Sequence, residues 1–343
     1  MSRDIPVLDL TEWRAADAAR RSETGAALDA ALRATGLFLL RGHGVPPGLT
    51  DRMRTRGRAF FALPDEVKRR YAVGRPYDNG WRGLGGLDVG AVNGQAGAPD
   101  LHEAYHVGPS LPQPGGWEVP PCTGDPSFDA TYYPRNRWPA EQPGLRDTAL
   151  AYTEHMTRVA HEVLGVLAAV LGLPGDFFTS RSRRATWTQN VNWYPSLRTV
   201  GGVSEGQMRV GPHTDFGTLS LLDRQQGIGG LEVWNEEAGW FRPPFEPGTL
   251  VVNLGDLMNL WTDGRWRSLR HRVLAPSDAA PDEELVSLVY FFEADPDAEI
   301  VPLAAPVGGG AGMRPVIAGE SILEKVRGSL TLDLVSSARE GQG

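Results

Sequence analysis

Two short patterns in this chain place metal-ligating side chains at a usable spacing. The first is His213-Thr-Asp215, inside the stretch Met208–Leu222, MRVGPHTDFGTLSLL. In an extended chain, side chains two residues apart point to the same face, so one imidazole and one carboxylate from a single strand converge on an ion. The second is His102-Glu-Ala-Tyr-His106, a match to H-E-x-x-H. On a helix this spacing brings both histidines to one zinc, and the glutamate, here Glu103, activates a water for peptide hydrolysis. However, Gly97-Ala-Pro-Asp100 before it and Gly108-Pro109 after it leave about two helical turns at most. In a strand, residues four apart sit roughly 13 Å apart, too far to share an ion. A structural strand is therefore the expectation, and a zinc metallopeptidase is the rival.

The pair His213 and Asp215 needs a third ligand from a neighbouring strand. His271, in Ser268-Leu-Arg-His-Arg-Val273, follows Asn253-Leu-Gly-Asp256 and a turn at Asp263-Gly264. Strand, turn and strand can thus carry it back beside the first pair. Of the other histidines, His43 lies in a glycine-flanked turn, and His155 and His161 lie in a predicted helix; surface or core roles suffice for them. Two imidazoles and one carboxylate on one face of an octahedron suit non-haem iron(II) and leave three positions open.

These residues need elements to hold them. Ile5–Leu10 reads as a short strand, with Thr11 as N-cap of a helix running to about Ala34. Leu37–Leu40 suits a buried strand, and Leu49–Phe61 a second helix. Val73–Ala98 is glycine-rich and is expected to be a long loop; its Gly83–Gly86 follows no strand and opens no helix, which argues against a phosphate loop. Pro112–Pro143 reads as an irregular connection. Leu145–Leu171 places Ala149, Tyr152, Met156, Val159, Val163, Leu167 and Val170 at three- and four-residue spacing, the stripe of a long packing helix stopped by Gly172 and Pro174. Beyond Phe178, short runs (Thr186–Trp193, Gly217–Leu222, Gly230–Trp234, Thr249–Leu254, His271–Leu274, Leu285–Phe292) read as the strands of a double-sheet jelly roll. Ile322–Arg327 reads as a closing helix.

The 343 residues, 41% hydrophobic and 22% charged, suit a soluble globular protein. A net charge of −8 without a basic stripe speaks against nucleic acid as a partner. The single cysteine, Cys122, can form no internal disulfide. The amino terminus lacks a secretory pattern and no long apolar run is present, so a cytoplasmic location, no membrane and a monomer are the expectations.

Beyond the metal-ligand pattern, the chain resembles the iron(II)- and 2-oxoglutarate-dependent dioxygenases of the isopenicillin N synthase type. The resemblance rests on ordered motifs: Ile5-Pro-Val-Leu-Asp9, Gly36-Leu-Phe-Leu-Leu-Arg-Gly-His-Gly-Val45, Asn192-Trp-Tyr-Pro195, His213-Thr-Asp-Phe-Gly217, Gly229-Gly-Leu-Glu-Val233, Asn253-Leu-Gly-Asp256, His271-Arg-Val273 and Pro315–Glu320. It implies a mainly β fold with flanking helices: a distorted double-stranded β-helix, or jelly roll, at 181–300. An N-terminal mixed α/β region (1–120), a connection with the long helix (121–180) and a C-terminal helix and tail (301–343) would complete one integrated catalytic domain. It also implies iron(II) at His213, Asp215 and His271, with 2-oxoglutarate as cosubstrate and dioxygen as oxidant.

The resemblance further implies that the far carboxylate of 2-oxoglutarate meets the tyrosine of N-x-Y-P and an Arg-x-Ser on a late strand. Asn192, Tyr194 and Ser287 match; the arginine position is Leu285. An arginine fork is a strong receptor for a carboxylate, and leucine offers only bulk. Arg209 is the first candidate for the missing charge; Arg183, Arg184, Arg198 and Arg224 are others that sequence does not rank. Trp81, Arg82, Tyr105 and Phe292 are candidate substrate-lining residues, the glycine-rich loop and the C-terminal tail candidate covers, and Gln342 a candidate cap for the iron. No side-chain acid or base is required. The function that follows is 2-oxoglutarate decarboxylation coupled to hydroxylation, desaturation or cyclisation of a small molecule in specialised metabolism. An oxidase that needs no 2-oxoglutarate and an inert binding protein on the same scaffold are the alternatives.

Overall fold

The computed structural model describes residues 5–75, 77–86, 98–109 and 125–328. Fourteen strands follow one another along these residues: β1 (Val7–Asp9), β2 (Leu37–Arg41), β3 (Gly80–Arg82), β4 (Glu103–Val107), β5 (Trp187–Tyr194), β6 (Val210–His213), β7 (Leu219–Asp223), β8 (Leu231–Asn235), β9 (Gly239–Phe241), β10 (Leu250–Leu254), β11 (His271–Val273), β12 (Leu285–Phe292), β13 (Glu299–Ile300) and β14 (Val316–Ile317). The helices are α1 (Leu10–Ala15), α2 (Ala18–Ala34), α3 (Pro47–Phe61), α4 (Asp65–Lys68), α5 (Pro126–Tyr132), α6 (Pro143–Val170), α7 (Leu197–Val200), α8 (Asp256–Trp261) and α9 (Ala318–Gly328).

The large sheet runs β1-β2-β10-β7-β12-β5-β4-β3 and the smaller one β6-β11-β8-β9. Residue alternation divides the labour of the large sheet. Leu219, Leu221, Val252, Val286, Leu288, Tyr290 and Phe292 belong to one core with Leu145, Ala149, Tyr152, Met156 and Val163 of α6. The intervening residues Ser220, Leu222, Asn253, Leu285, Ser287, Val289 and Phe291 therefore face the other way, toward the smaller sheet. Leu37, Leu39 and Val251 bridge that gap to Leu231 and Val233 in a second apolar cluster. The jelly roll is thus packed by helices on one side and hollow between its sheets.

Several expected boundaries move. The first helix is two helices, because Asp9 accepts from the Thr11 and Glu12 amides and Asp17 caps a fresh start through the Arg20 amide. A carboxylate at each of these positions is a stronger N-cap than Thr11. The glycine-rich region, expected as loop throughout, contains β3, paired antiparallel with β4. Gly80, at φ +138°, permits this: a Cβ there would sit 2.4 Å from the Tyr71 carbonyl oxygen. The segment 112–143, expected to be irregular, includes α5 and the start of α6.

The zinc-peptidase reading is overturned. His102 to His106 run into and along β4, not a helix. Glu103 is buried and accepts from Lys68 Nζ at 2.9 Å and Trp81 Nε1 at 2.6 Å, so its carboxylate holds the core together. No helix among the described residues is long and apolar enough to cross a membrane. Cys122 and Gln342 lie outside the described residues.

Candidate metal centre and active site

His213 closes β6 and His271 opens β11, and their Cα atoms are partners across the antiparallel ladder. Asp215 lies two residues further along. His213 Nε2 and His271 Nε2 are each 3.7 Å from Asp215 Oδ1. The ligand atoms of all three lie within 4.8 Å of one another, the one such group of three or more His, Cys, Asp or Glu among the described residues. The remaining atoms of each side chain are already committed. His213 Nδ1 donates to the Gly211 carbonyl at 2.8 Å and His271 Nδ1 to the Leu269 carbonyl at 3.1 Å, an assignment that follows because a carbonyl can only accept. Both Nε2 lone pairs are thereby turned inward. Asp215 Oδ2 accepts from Ser220 Oγ at 2.5 Å and Asn253 Nδ2 at 2.7 Å, which leaves Oδ1 for an ion.

The electrostatics agree with a ligand set. Burial, with His271 alongside, pushes the His213 imidazole down to about 3, so it is neutral near pH 7. Burial alone would raise Asp215, but the two imidazoles and the bonds from Ser220 and Asn253 outweigh it and hold the carboxyl below its ordinary value. A neutral imidazole at His213 and an ionised carboxylate at Asp215 are the forms that ligate iron(II). The Asn253-Leu-Gly-Asp256 motif braces this arrangement. A Cβ on Gly255 would sit 2.4 Å from the Gly217 carbonyl oxygen and 2.9 Å from that of Asp215. That close approach lets the Asp256 and Leu257 amides donate to the same two carbonyls at 2.9 and 3.0 Å.

An inner cavity extends from the three ligands into the space between the sheets, lined by Asn192, Tyr194, Arg224, Asn253, Leu285 and Ser287 among others. Tyr194 is buried, which raises its phenol, and the Asn192 and Ser287 side chains offset part of that rise. Asn192 Oδ1 is buried without a protein partner, an orphan acceptor in the cavity wall. Arg209 does not line this cavity. Its guanidinium is fully buried and bonded to Glu283 Oε1 at 3.0 Å and to the carbonyls of Gly229, Pro195 and Glu283. Glu283 neutralises it, and it stacks behind the Tyr194 ring at 6.0 Å. Arg184 is paired with Asp297 and Arg198 with Asp282, while Arg183 is exposed. Of the arginines put forward from sequence, Arg224 is the one that reaches the cavity.

On the opposite side of His213 and Asp215 lies an outer cavity, lined by Asp78, Asn79, Arg82, His106, Asn190 and Glu293 among others and roofed by Gly319, Ile322, Leu323 and Val326 of α9. Of the residues put forward from sequence as substrate-lining, Arg82 lines this cavity. Trp81, Tyr105 and Phe292 do not: all three are buried in the main core, and the alternation of their strands turns Arg82, His106 and Phe291 toward the cavity instead. Glu293 is a residue that sequence reasoning missed. Its carboxyl accepts from the Thr218 amide at 2.7 Å, and burial pushes it up to about 8. The signal was Gly217 in the H-x-D motif, where a Cβ would lie 1.7 Å from a Glu293 oxygen.

Comparison with known proteins agrees with this geometry. Residues 189–294 match the 2OG-Fe(II) oxygenase superfamily model, and residues 5–141 match the N-terminal model of non-haem dioxygenases in morphine synthesis. The chain is 65% identical over 325 residues to validamycin A dioxygenase of Streptomyces hygroscopicus subsp. limoneus, covering 95% of this chain and 86% of that one. It is 28% identical to homoarginine-6-hydroxylase of Glycine max, covering 94% and 96%. Among solved structures, a putative 2OG-Fe(II) oxygenase family protein from Caulobacter crescentus shares the fold, with a TM-score of 0.77 at 24% identity over 95% of this chain and 99% of that one. The jelly roll with helices on its outer face, the His-Asp-His centre opening on two cavities and the relatives just described have one explanation: the chain belongs to the iron(II)- and 2-oxoglutarate-dependent dioxygenases and is an oxidoreductase of that superfamily.

Proposed function

We propose that His213, Asp215 and His271 hold one iron(II), that Asn192, Tyr194 and Ser287 help to bed 2-oxoglutarate in the inner cavity, and that the outer cavity takes validamycin A or a close chemical relative of it. The observation that carries the metal assignment is the placement of His271 opposite His213, with both Nε2 atoms on Asp215 Oδ1. The substrate assignment is supported by 65% identity to validamycin A dioxygenase over nearly the whole chain and by the polar side chains Asp78, Asn79, Arg82 and Asn190 set among the apolar residues of the outer cavity.

When bound together, iron(II), 2-oxoglutarate and dioxygen supply an oxidant able to break a substrate C–H bond, with succinate and carbon dioxide as coproducts. The protein's part is positional. Ser220 and Asn253 fix which carboxylate oxygen of Asp215 faces the ion. Asp78, held between Arg75 and Arg137, anchors one wall of the outer cavity, and the α9 residues shield it from water. Glu293, protonated near neutrality, adds a hydrogen-bond donor without adding charge. No residue is needed as acid or base.

Incubation of the purified chain with iron(II), 2-oxoglutarate and validamycin A under air tests this. The expected outcome is succinate formed in step with a product that has gained one oxygen or lost two hydrogens, by mass spectrometry. Substrate-dependent oxygen uptake without succinate would overturn the 2-oxoglutarate assignment and favour an oxidase; succinate with no change in validamycin A would overturn the substrate assignment alone.

A further inference from the structure

We propose that Arg224 is the receptor for the far carboxylate of 2-oxoglutarate, the positive charge having moved from the late strand β12, where Leu285 stands, to the end of β7 one strand over. This rests on the reading of the chain as a 2-oxoglutarate oxygenase and assigns a residue that the family pattern does not.

Strand register carries the argument. In the β7–β12 ladder, Leu222 is opposite Val289 and Asp223 opposite Leu288. Arg224 follows directly after β7, and the same register continued by one step would set it opposite Ser287; on the other side of β12 Ser287 is opposite Asn192 and Leu285 opposite Tyr194. Arg224, one residue past β7, lines the inner cavity together with Asn192, Tyr194, Leu285 and Ser287, the cluster that an arginine at position 285 would have joined. Ser220 and Leu222 share one face of β7, and Arg224, the next residue of that parity, lines the same cavity as Leu222. Ser220 touches Asp215 at 2.5 Å, so this face starts at the metal ligands. Four residues on, roughly 13 Å along the strand, an arginine reaching back meets a five-carbon diacid reaching out from the metal.

Arg224 is also equipped and available. Nη2 donates to the carbonyls of Pro243 and Pro244 at 2.9 and 2.6 Å, and the guanidinium lies 5.5 Å from the Phe245 ring. These contacts orient the fork without neutralising it. Among the described residues no acidic side chain pairs with Arg224, in contrast to Arg209 with Glu283. Burial pushes Arg224 down to about 10, which leaves it a cation near pH 7 that an incoming carboxylate would stabilise.

The test compares two oxo acids that differ only at the far end: 2-oxoglutarate and 2-oxopentanoate, whose far carbon is a methyl group. Their dissociation constants are measured anaerobically on the iron(II)-loaded full chain from the visible charge-transfer band of the chelate, and by calorimetry with nickel(II) in place of iron. The wild type should prefer 2-oxoglutarate by tenfold or more. Arg224→Gln should weaken 2-oxoglutarate about 10- to 100-fold, leave 2-oxopentanoate within about twofold, and keep one metal per chain. Adding Leu285→Arg should restore the preference. The proposal is overturned if Arg224→Gln retains the wild-type preference, if it weakens both oxo acids equally, or if the wild type does not discriminate. Should the glutamine variant not fold, Arg224→Lys, which keeps the charge but loses the fork, is expected to weaken 2-oxoglutarate alone, and equal affinity for both acids relative to wild type would count against the assignment. Failure of the wild type to bind metal is a separate result, directed at the triad.

Discussion

The inner and outer cavities share His213, Asp215 and Phe291, yet they are built from different material. The inner one is walled by residues at fixed parity on paired strands: Asn192 and Tyr194 on β5, Ser287 on β12, Asn253 on β10 and His271 on β11. The outer one combines ladder residues, Arg82, His106, Asn190 and Phe291, with loop residues such as Asp78 and Pro134 and one face of α9. A ladder fixes each side chain relative to its neighbours through backbone bonds that do not depend on side-chain identity. Loops and helix faces carry no such constraint. The metal-ligand side thus sits wholly where the backbone dictates geometry, and the outer cavity, proposed above to take the substrate, only in part.

The sharpest way to break this contrast is at the metal. Asp215→Ala should abolish turnover and reduce iron to background by metal analysis after anaerobic loading, while far-ultraviolet circular dichroism stays unchanged. Retained stoichiometric iron would remove the shared centre of the two cavities. Next, parity itself can be tested with adjacent phenylalanines. Phe292→Ala should cost about 3–5 kcal/mol of stability because it opens a hole in the main core. Phe291→Ala, facing the cavities, should cost clearly less and instead raise KM for substrate or cosubstrate. Equal losses would show that the two faces are not distinct. Smaller again, Asn253→Ala should lower iron affinity by about 10- to 100-fold through release of Asp215 Oδ2, without change in the 2-oxoglutarate to 2-oxopentanoate preference.

The effect at the outer cavity appears not as a single loss but as a slope. Glu293 has its folded-state value raised to about 8 from 4.5. The native state therefore keeps a proton that the unfolded chain has released, and stability present below about pH 4.5 is lost as pH rises toward 8. Glu293→Gln in the metal-free protein should flatten this decline, by up to about 1.4 kcal/mol per pH unit, in melting temperatures recorded across that window. An unchanged slope would mean that Glu293 titrates normally.

The same contrast explains what the sequence disclosed. His213, Asp215 and His271 could be selected because a two-residue spacing plus one returning strand is a rule of extended chains, and the jelly roll and long helix followed from periodicity. The H-E-x-x-H pattern was correctly expected as strand because glycine and proline fence it. Parity was not fixed for the substrate side. Trp81, Tyr105 and Phe292 each fell one residue from a cavity-facing neighbour: the Leu288–Phe292 run is apolar on both faces, and in β3 and β4 the polar residues Arg82, Glu103 and His106 fall on both faces, so none of the three carries an alternation to read. Arg209 looked available because Glu283, its partner, lies 74 positions away. Arg224 could not be ranked for the converse reason: it shares a cavity with Ser287 only because β7, which ends one residue before it, pairs with β12. Glu293 gave no sign of its own, and only Gly217 hinted at something filling the space where a side chain would be.

The central claim, that three side chains on β6, its following loop and β11 assemble one iron(II) site opening onto a 2-oxoglutarate bed, is tested most directly by anaerobic titration of the metal-free chain with iron(II) in the presence of 2-oxoglutarate. A visible charge-transfer band that saturates at one iron per chain and is lost in His271→Ala is the predicted result. No band at millimolar 2-oxoglutarate, or a band that survives the loss of His271, would contradict it.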